Sequence, residues 1–316
     1  MLNSLFSTLF TMRFLLTIIR LATPIVFAAL GTFIAASTGI GNIAIESIMT
    51  FAALAGVLGS YLSGSAWVGV MIGFIVGILT AMIIAFFSMK LGADAFLIMI
   101  ALNTFADAVA IFILYQLTGD KGTTASLATP ILDVVNIPII KDIPILGDIL
   151  SGQYVLTYIC WILVILMFIM IYKTPLGMRM RACGLNADAA KTAGINVERL
   201  QVLSLALSGF FAALGGVYLS LNYLKIFSKG MVSGQGWMGV AANGIANGNY
   251  LSLILSAVIF ALFRAVSIVF SSNSAFPTDL VGAIPYFSVF VILTAVSIIN
   301  YYRVKRGKVE EQWWEK

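Results

Sequence analysis

Long apolar stretches without charge constrain the fold of this chain more than any other feature. Between Leu21 and Met89 the only charged residue is Glu46, and no charge lies between Asp148 and Lys173. A helix that crosses a bilayer needs about 20 mostly apolar residues. Charged residues make up only 10% of the 316 residues, too few to cover the surface of a soluble domain. The sequence therefore predicts an all-α, polytopic membrane protein.

Eight apolar segments are clear candidates for membrane spans. They lie near Phe14–Ala36, Ile43–Tyr61, Ala66–Met89, Ala95–Leu117, Tyr154–Tyr172, Gln201–Tyr223, Leu251–Phe270 and Leu280–Tyr301. A further stretch, Met231–Asn249, is too rich in Gly and Asn for a lipid-facing helix, which favours a broken or re-entrant segment packed inside the protein. We expect about 8–10 transmembrane helices, depending on this stretch and on the N-terminus.

The charges of the loops predict the orientation of the chain. The segment Lys173–Arg199 carries five basic and two acidic residues, and the tail after Tyr301 carries five basic and three acidic residues. Basic loops mark the cytoplasmic side. The loop 118–153, with four Asp and two Lys, is expected outside. The predicted organisation is one transmembrane domain, 1–301, with a cytoplasmic loop 173–200 and a cytoplasmic tail 302–316.

The number of crossings must agree with this orientation. Residues 201–301 begin and end on the cytoplasmic side but hold only three clear spans, so the Gly-rich stretch is expected to supply a fourth crossing. Counting backwards places the N-terminus outside, whereas Arg13 and Arg20 favour the inside. A short N-terminal helix in the plane of the membrane would reconcile the two.

Polar residues within the predicted spans are candidates for a solute pathway. An intramembrane charge costs roughly 2.5–3.5 kcal/mol on insertion scales, so such residues need a reason. The pathway candidates are Asn42, Glu46, Asn103, Asp107 and Asn243. The alternative is that these groups make structural contacts inside the protein, for example an ion pair of Arg264 with Glu46 or Asp107.

The composition also excludes several kinds of chemistry. The chain contains no histidine, which removes a histidine base, a histidine-ligated zinc and a Ser-His-Asp triad. We therefore predict no catalytic residues and no metal site. Cys160 lies in an apolar run and Cys183 in a basic loop, so a disulfide between them is not expected. The net charge of +5 lies in short loops and the tail, which does not suggest a nucleic-acid partner.

The loop 173–200 carries the most specific local pattern. Thr174-Pro175 is typical of a helix start, Gly184-Leu185-Asn186 breaks that helix, and Ala187–Ala193 predicts a second short helix that ends at Gly194. Two short helices with a small-residue face and a basic face are suited to docking into a groove on another protein. A solvated connector is the alternative.

The same loop resembles the coupling loop of permease subunits of bacterial ABC importers for ribose, nucleosides and branched-chain amino acids. The family pattern is approximately T-x-x-G-x-x-x-R-A-x-G-x-N-x-x-A-A-x-x-x-G-I. The matching residues here are Thr174, Gly177, Arg181, Ala182, Gly184, Asn186, Ala189, Ala190, Gly194 and Ile195. Gly39–Met49, Ile137–Leu150 and Pro277–Leu293 also look like segments of the nucleoside branch. Ser37 and Thr38 replace an acidic-basic pair common in the family, and Ala44 and Ser47 replace two glycines.

The resemblance implies a type II-like ABC importer permease in the bacterial cytoplasmic membrane, with nucleosides as the expected cargo. The matching loop residues, together with Arg179, would couple the permease to a separate ATPase. This chain has no phosphate-binding G-x-x-x-x-G-K-[ST] loop and is expected to bind no cofactor. ATP and Mg²⁺ would therefore bind to the separate ATPase. A second permease, forming a heterodimer, and an extracytoplasmic substrate-binding lipoprotein would complete the importer.

Three other functions are alternatives to this one. The first is a permease of the same kind that carries ribose or another simple sugar. The second is a secondary transporter driven by an ion gradient, with Glu46 or Asp107 as the ion site, but it leaves the paired short helices unexplained. The third is an intramembrane enzyme, which needs a nucleophile and a base that face each other in the bilayer. The sequence offers no such arrangement.

Overall fold

The computed structural model describes residues 12–135, 151–273 and 281–305, and this part of the chain is built almost wholly from helices. The helices are α1 Met12–Ala36, α2 Ile45–Ser63, α3 Ala66–Ala85, α4 Ala95–Thr118, α5 Val155–Lys173, α6 Pro175–Leu185, α7 Ala187–Thr192, α8 Val197–Val217, α9 Gln235–Ala246, α10 Tyr250–Asn273 and α11 Ile284–Lys305. Short π-helical turns extend α3 through Phe86–Lys90 and α8 through Tyr218–Tyr223. The two strands in the described residues, β1 Val134–Val135 and β2 Gln153–Tyr154, pair antiparallel. The predicted all-α class is confirmed.

Seven helices in the described residues are long and apolar enough to cross a membrane. They are α1 to α5, α8 and α10, with α3 and α8 counted together with their π-helical turns. Helix α11 contains a shorter apolar segment, Ile284–Ile298. Helix α9 has only 12 residues, or about 18 Å at 1.5 Å per residue, against a hydrocarbon core of about 30 Å. The predicted broken segment is therefore a half-length helix.

One end of the helix bundle is identified by contacts among its connecting loops. Near the start of α1, the guanidinium of Arg20 donates hydrogen bonds to the side chain of Gln153 (3.3 Å) and the carbonyl of Gly152 (3.0 Å). Near the end of α2, Ser60 Oγ donates to the carbonyl of Pro130 (2.6 Å). The segment after α8 joins the same end, because the Lys229 amide donates to the Gly122 carbonyl (2.8 Å). We call this end the loop side.

The opposite end carries α6 and α7, and we call it the coupling side. Lys90, after α3, forms an ion pair with Glu198 at the start of α8 (3.8 Å). The Tyr172 hydroxyl at the end of α5 donates to the Gly248 carbonyl in the turn between α9 and α10 (3.1 Å). The chain thus leaves α8 on the loop side and enters α10 on the coupling side. Residues 224–249 make the expected crossing, first as non-helical chain and then as α9.

The start of α1 lies on the loop side, opposite α6 and α7, as the backward count of spans predicts. The expected in-plane N-terminal helix, most of the tail 302–316 and residues 136–150 of the external loop lie outside the described residues.

Small residues let the central helices approach closely. A Cβ atom added at Gly209 of α8 would lie 2.6 Å from the carbonyl oxygen of Gly77 on α3, so no larger side chain fits there. Membrane helices commonly pack through such small residues. Cys160 and Cys183 are both buried and free, which confirms the prediction that they form no disulfide.

Candidate functional site

The most distinctive polar contact lies at the N-terminus of the half-length helix α9. The carboxylate of Glu46, in the first turn of α2, accepts hydrogen bonds from the backbone amides of Gly234 and Gly236, each at 2.8 Å. The first amides of a helix lack partners within it and carry partial positive charge, so a carboxylate is well placed there. A Cβ atom at Gly236 would lie 2.6 Å from the Glu46 amide nitrogen, which explains why glycine stands at this position.

The turn that precedes α9 is held from two other helices. The carbonyl of Ser233 accepts hydrogen bonds from Arg264 Nη1 of α10 and from the Tyr286 hydroxyl of α11, both at 3.0 Å. Arg264 therefore binds the backbone of the turn, and the suggested ion pair with Glu46 or Asp107 is wrong. The two ion pairs found within the described residues are Lys90–Glu198 and Lys191–Asp188.

Two asparagines of the predicted pathway hold the start of α2. Asn42 is fully buried; its Nδ2 donates to Ser208 Oγ on α8 and its Oδ1 accepts from the Ala44 amide, both at 2.9 Å. Asn103 of α4 donates to the Ile43 carbonyl and accepts from the Ser47 amide, both at 3.0 Å. These bonds satisfy backbone groups next to the non-helical link between α1 and α2. A pathway role for both residues stays a prediction, but in this conformation they act as clamps.

Asp107 and Asn243 are placed differently from the clamping residues. Asp107 is exposed near the middle of α4, and Asn243 is half-buried on α9. Neither side chain makes a hydrogen bond or an ion pair with another described residue. Since a carboxylate at membrane depth avoids lipid, the face of α4 that carries Asp107 must meet water or another protein.

The loop 173–200 folds as its pattern predicts. Thr174 Oγ1 accepts a hydrogen bond from the Gly177 amide (3.2 Å) at the start of α6, and Asn186 Oδ1 accepts from the Ala189 amide (2.9 Å) at the start of α7. Gly194 ends the second helix with a φ of +81°, a left-handed conformation that favours glycine. The helix-break-helix prediction is thus confirmed at both starts and at the final stop.

The matched residues of this loop divide into exposed and packed groups. The exposed residues are Arg179, Gly184, Asn186, Ala189 and Gly194; Gly177 and Ala190 are buried; Arg181, Ala182 and Ile195 are half-buried. The guanidinium of Arg181 lies over the ring of Tyr172, 5.0 Å from its centroid. Sequence reasoning did not single out Leu185, an apolar residue that is 80% exposed at the end of α6. The predicted break at Gly184-Leu185-Asn186 begins too early, because Gly184 and Leu185 are still helical and only Asn186 separates α6 from α7.

Helix α6 also touches the link between α1 and α2. A Cβ atom at Gly184 would lie 2.6 Å from the Ser37 carbonyl oxygen and 3.3 Å from the Gly39 amide nitrogen. Gln201 Nε2 of α8 donates to the Thr38 carbonyl (3.4 Å) in the same link. From the sequence, Ser37 and Thr38 were notable only because they replace an acidic-basic pair that is common in the family. The structure places their backbone between the loop 173–200 and the buried Asn42.

The exposed side of the loop includes a shallow groove of about 430 Å³. It is lined by Arg179, Arg199, Leu200 and the chain from Ala193 to Asn196. Its two arginines give it a basic character, which suits an acidic segment of a partner protein.

Sequence comparison with known proteins places this chain among transport proteins. Residues 14–296 match the family model described as "Branched-chain amino acid transport system / permease component". The nucleoside ABC transporter permease protein NupC of Lactococcus lactis is 28% identical over 86% of this chain and 88% of its own length. The guanosine ABC transporter permease protein NupQ of Bacillus subtilis is 30% identical over 86% of this chain and 88% of its own length.

A second protein of Bacillus subtilis, the guanosine ABC transporter permease protein NupP, is also similar. It is 23% identical over 93% of this chain and 84% of its own length. Two permeases with the same printed cargo in one organism therefore both align with most of this chain.

Proposed function

This chain belongs to the family of branched-chain amino acid transport system permease components, and on that premise we propose that it is the pathway-forming subunit of an ATP-driven nucleoside importer. The nucleoside cargo is inferred from relatives that carry nucleoside or guanosine in their names and align with most of the chain. Energy would come from a separate ATPase that binds ATP and Mg²⁺ and docks on the loop 173–200.

The broken crossing of residues 224–249 is the single observation that best supports a pathway here. The turn at Ser233 and Gly234 is non-helical at the depth of Glu46, and Gly239 packs on Ala28 near the middle of α1. Non-helical backbone at membrane depth is tolerated only inside protein or beside a water-filled cavity. Since Ser233 is exposed, we infer that it faces the solute pathway, together with Asp107 and Asn243. Transporters often place their solute sites beside such half-helices.

Coupling would start at the exposed break between α6 and α7. Leu185 and Arg179 would contact the ATPase, and Gly184 would pass a displacement of α6 to the link that contains Ser37. That link leads to Asn42 and Glu46, and so to the start of α9. This arrangement requires the coupling side to be cytoplasmic, which agrees with the basic residues of the loop.

The importer would contain further chains. Because two guanosine permeases of Bacillus subtilis both resemble this chain, we propose a second permease as its membrane partner, as a heterodimer. A substrate-binding lipoprotein on the loop side would deliver the nucleoside, and the exposed face of α4 around Asp107 would meet the second permease or the pathway between the two.

Uptake by the reconstituted complex tests this function. The chain would be placed in proteoliposomes with its second permease, ATPase and binding protein, and the import of radiolabelled guanosine, adenosine, uridine and ribose would be measured. We expect nucleoside import that needs ATP and Mg²⁺ and stops when the phosphate-loop lysine of the ATPase is replaced. Ribose import without nucleoside import would favour the sugar permease. Import by this chain alone, driven by a proton gradient, would contradict the ATP-driven mechanism.

The coupling surface has a matched pair of variants. Leu185→Asp replaces an apolar side chain that is 80% exposed on the coupling side with a charged one. The control, Leu62→Asp, makes the same change at a leucine that is 81% exposed near the end of α2, on the loop side. We expect Leu185→Asp to abolish nucleoside uptake and co-purification of the ATPase, without loss of membrane insertion. Leu62→Asp should retain the ATPase. Equal ATPase recovery from both variants would argue against docking at the break.

A further inference from the structure

One cluster near the start of α9 has a hydrogen-bond donor and aromatic surface that the contacts described above leave unused. It contains Arg264 of α10, Tyr286 of α11 and Trp237 of α9. Arg264 and Tyr286 both bind the carbonyl of Ser233. Trp237 lies in the first turn of α9, three residues beyond Gly234. The three side chains thus lie at or next to the exposed turn that we place on the solute pathway.

The guanidinium of Arg264 is underused within the described residues. An arginine side chain carries five N–H donors, yet among the described residues this side chain donates one hydrogen bond, from Nη1 to the Ser233 carbonyl. Nε is buried without a partner, and Nη2 donates to no described residue. Arg264 lies inside the apolar span Tyr250–Ser271. An intramembrane cation with unused donors calls for an acceptor that the described residues do not supply.

Two aromatic side chains near this turn are open. Trp237 is 43% exposed and Tyr286 is 49% exposed. Tryptophan in membrane proteins is enriched at the two interfaces with water, whereas Trp237 follows Gly236, which packs on Glu46 inside the span of α2. An open indole at this depth offers a flat apolar surface to a solute.

We propose, building on the nucleoside cargo proposed above, that Trp237 and Arg264 form a base-recognition site that favours 6-oxopurine nucleosides. The base stacks on the indole, as bases do on aromatic side chains in general. Arg264 Nη2 donates to the exocyclic oxygen of guanine or hypoxanthine. Arginine reads the same oxygen of guanine in nucleic-acid recognition. Adenine presents an amino group at this position, so two donors would face each other and neither would be satisfied.

The selectivity of uptake tests this site. Guanosine, inosine and adenosine import would be compared in the complete complex for the wild type and Arg264→Lys, which keeps a charge and a donor for the Ser233 carbonyl. We expect the ratio of guanosine to adenosine import, and that of inosine to adenosine, to fall about 10-fold or more, the range for a lost hydrogen bond to a charged group. Tyr286→Phe, which keeps the ring but loses the bond to Ser233, should lower import of all three nucleosides equally.

The stacking contact has its own control. Trp237→Leu should raise KM for all three nucleosides by roughly 5-fold or more, and guanosine should no longer quench the tryptophan fluorescence that this residue contributes. Trp67→Leu changes an indole that is 52% exposed at the start of α3, and it should leave uptake unchanged.

The outcomes separate this inference from the proposed function. A wild-type complex that imports ribose but no nucleoside would overturn both. A complex that imports guanosine with the same purine ratios in the wild type and Arg264→Lys would overturn the base-recognition site alone and leave Arg264 as an anchor of the turn.

Discussion

The hydrogen bonds between Glu46 and the start of α9 allow a quantitative prediction. In Glu46→Gln, one side-chain oxygen remains for the Gly234 or Gly236 amide, and the new NH₂ group faces the other amide. One buried backbone donor therefore loses its acceptor, which costs about 1–3 kcal/mol. The variant should weaken the attachment of α9 to α2 by this amount without changing the volume of the side chain.

Hydrogen–deuterium exchange of the purified protein measures this attachment. Since 1.4 kcal/mol corresponds to a factor of ten, the amides in a peptide that covers residues 231–240 should exchange about 5- to 150-fold faster in Glu46→Gln. Glu46→Ala, which removes both acceptors, should show the larger change. Local opening of this kind is what native-state exchange reports.

A matched change in the same helix controls for general destabilisation. Thr50→Val removes the bond from Thr50 Oγ1 to the Glu46 carbonyl (2.9 Å) but none of the bonds to α9. Exchange in 231–240 should stay within about twofold of the wild type in this variant. Unchanged exchange in both Glu46→Gln and Glu46→Ala would refute the argument that this carboxylate holds α9.

Three further variants test other contacts. Gly184→Ala places a methyl group against the link between α1 and α2, so nucleoside uptake per ATP hydrolysed should fall. Its control is Gly41→Ala, whose Cβ would meet nothing within 4 Å and which should leave this ratio unchanged. Equal effects of the two variants would contradict coupling through this contact. Asn103→Leu leaves two backbone groups unpaired and should cost about 2 kcal/mol or more, seen as a lower melting temperature in detergent. Its control is Thr104→Val, which loses only a bond within α4, and equal melting of the two would speak against the clamp. Asp107→Asn breaks no hydrogen bond or ion pair among the described residues, so uptake should fall at an unchanged melting temperature; a large loss of stability would show that Asp107 is structural.

Local signals in the sequence predicted most of the helices. Apolar runs with few charges identified the spans because lipid selects for hydrophobicity along a continuous segment. Thr174, Asn186 and Gly194 marked the ends of the short helices because each acts on backbone groups within a few residues of itself. The loop pattern also identified the family, since its residues are close together in the chain.

The candidate site was less accessible to sequence reasoning. The sequence identified three unusual polar residues inside spans: Asn42, Glu46 and Asn103. It left open whether they line a solute pathway or make structural contacts, because neighbouring residues do not show which groups they bind. The pairing suggested for Arg264 was wrong for the same reason. Acidic residues are the obvious candidate partners for an arginine in a sequence. The acceptor that Arg264 uses is instead a backbone carbonyl, and because every residue carries one, the sequence does not identify which of them it is.

The sequence by itself determined that this chain is a multi-pass membrane protein with a helix-break-helix loop, because hydrophobicity and capping are properties of neighbouring residues. Only the tertiary structure decided that Met231–Asn249 crosses as a half-length helix and that Glu46 binds its first amides. That bond joins residues 188 positions apart in the chain, and its donor is the amide of a glycine with no side chain to mark it. Contacts of this kind depend on how the helices pack, because the backbone groups that they satisfy become buried only in the folded protein.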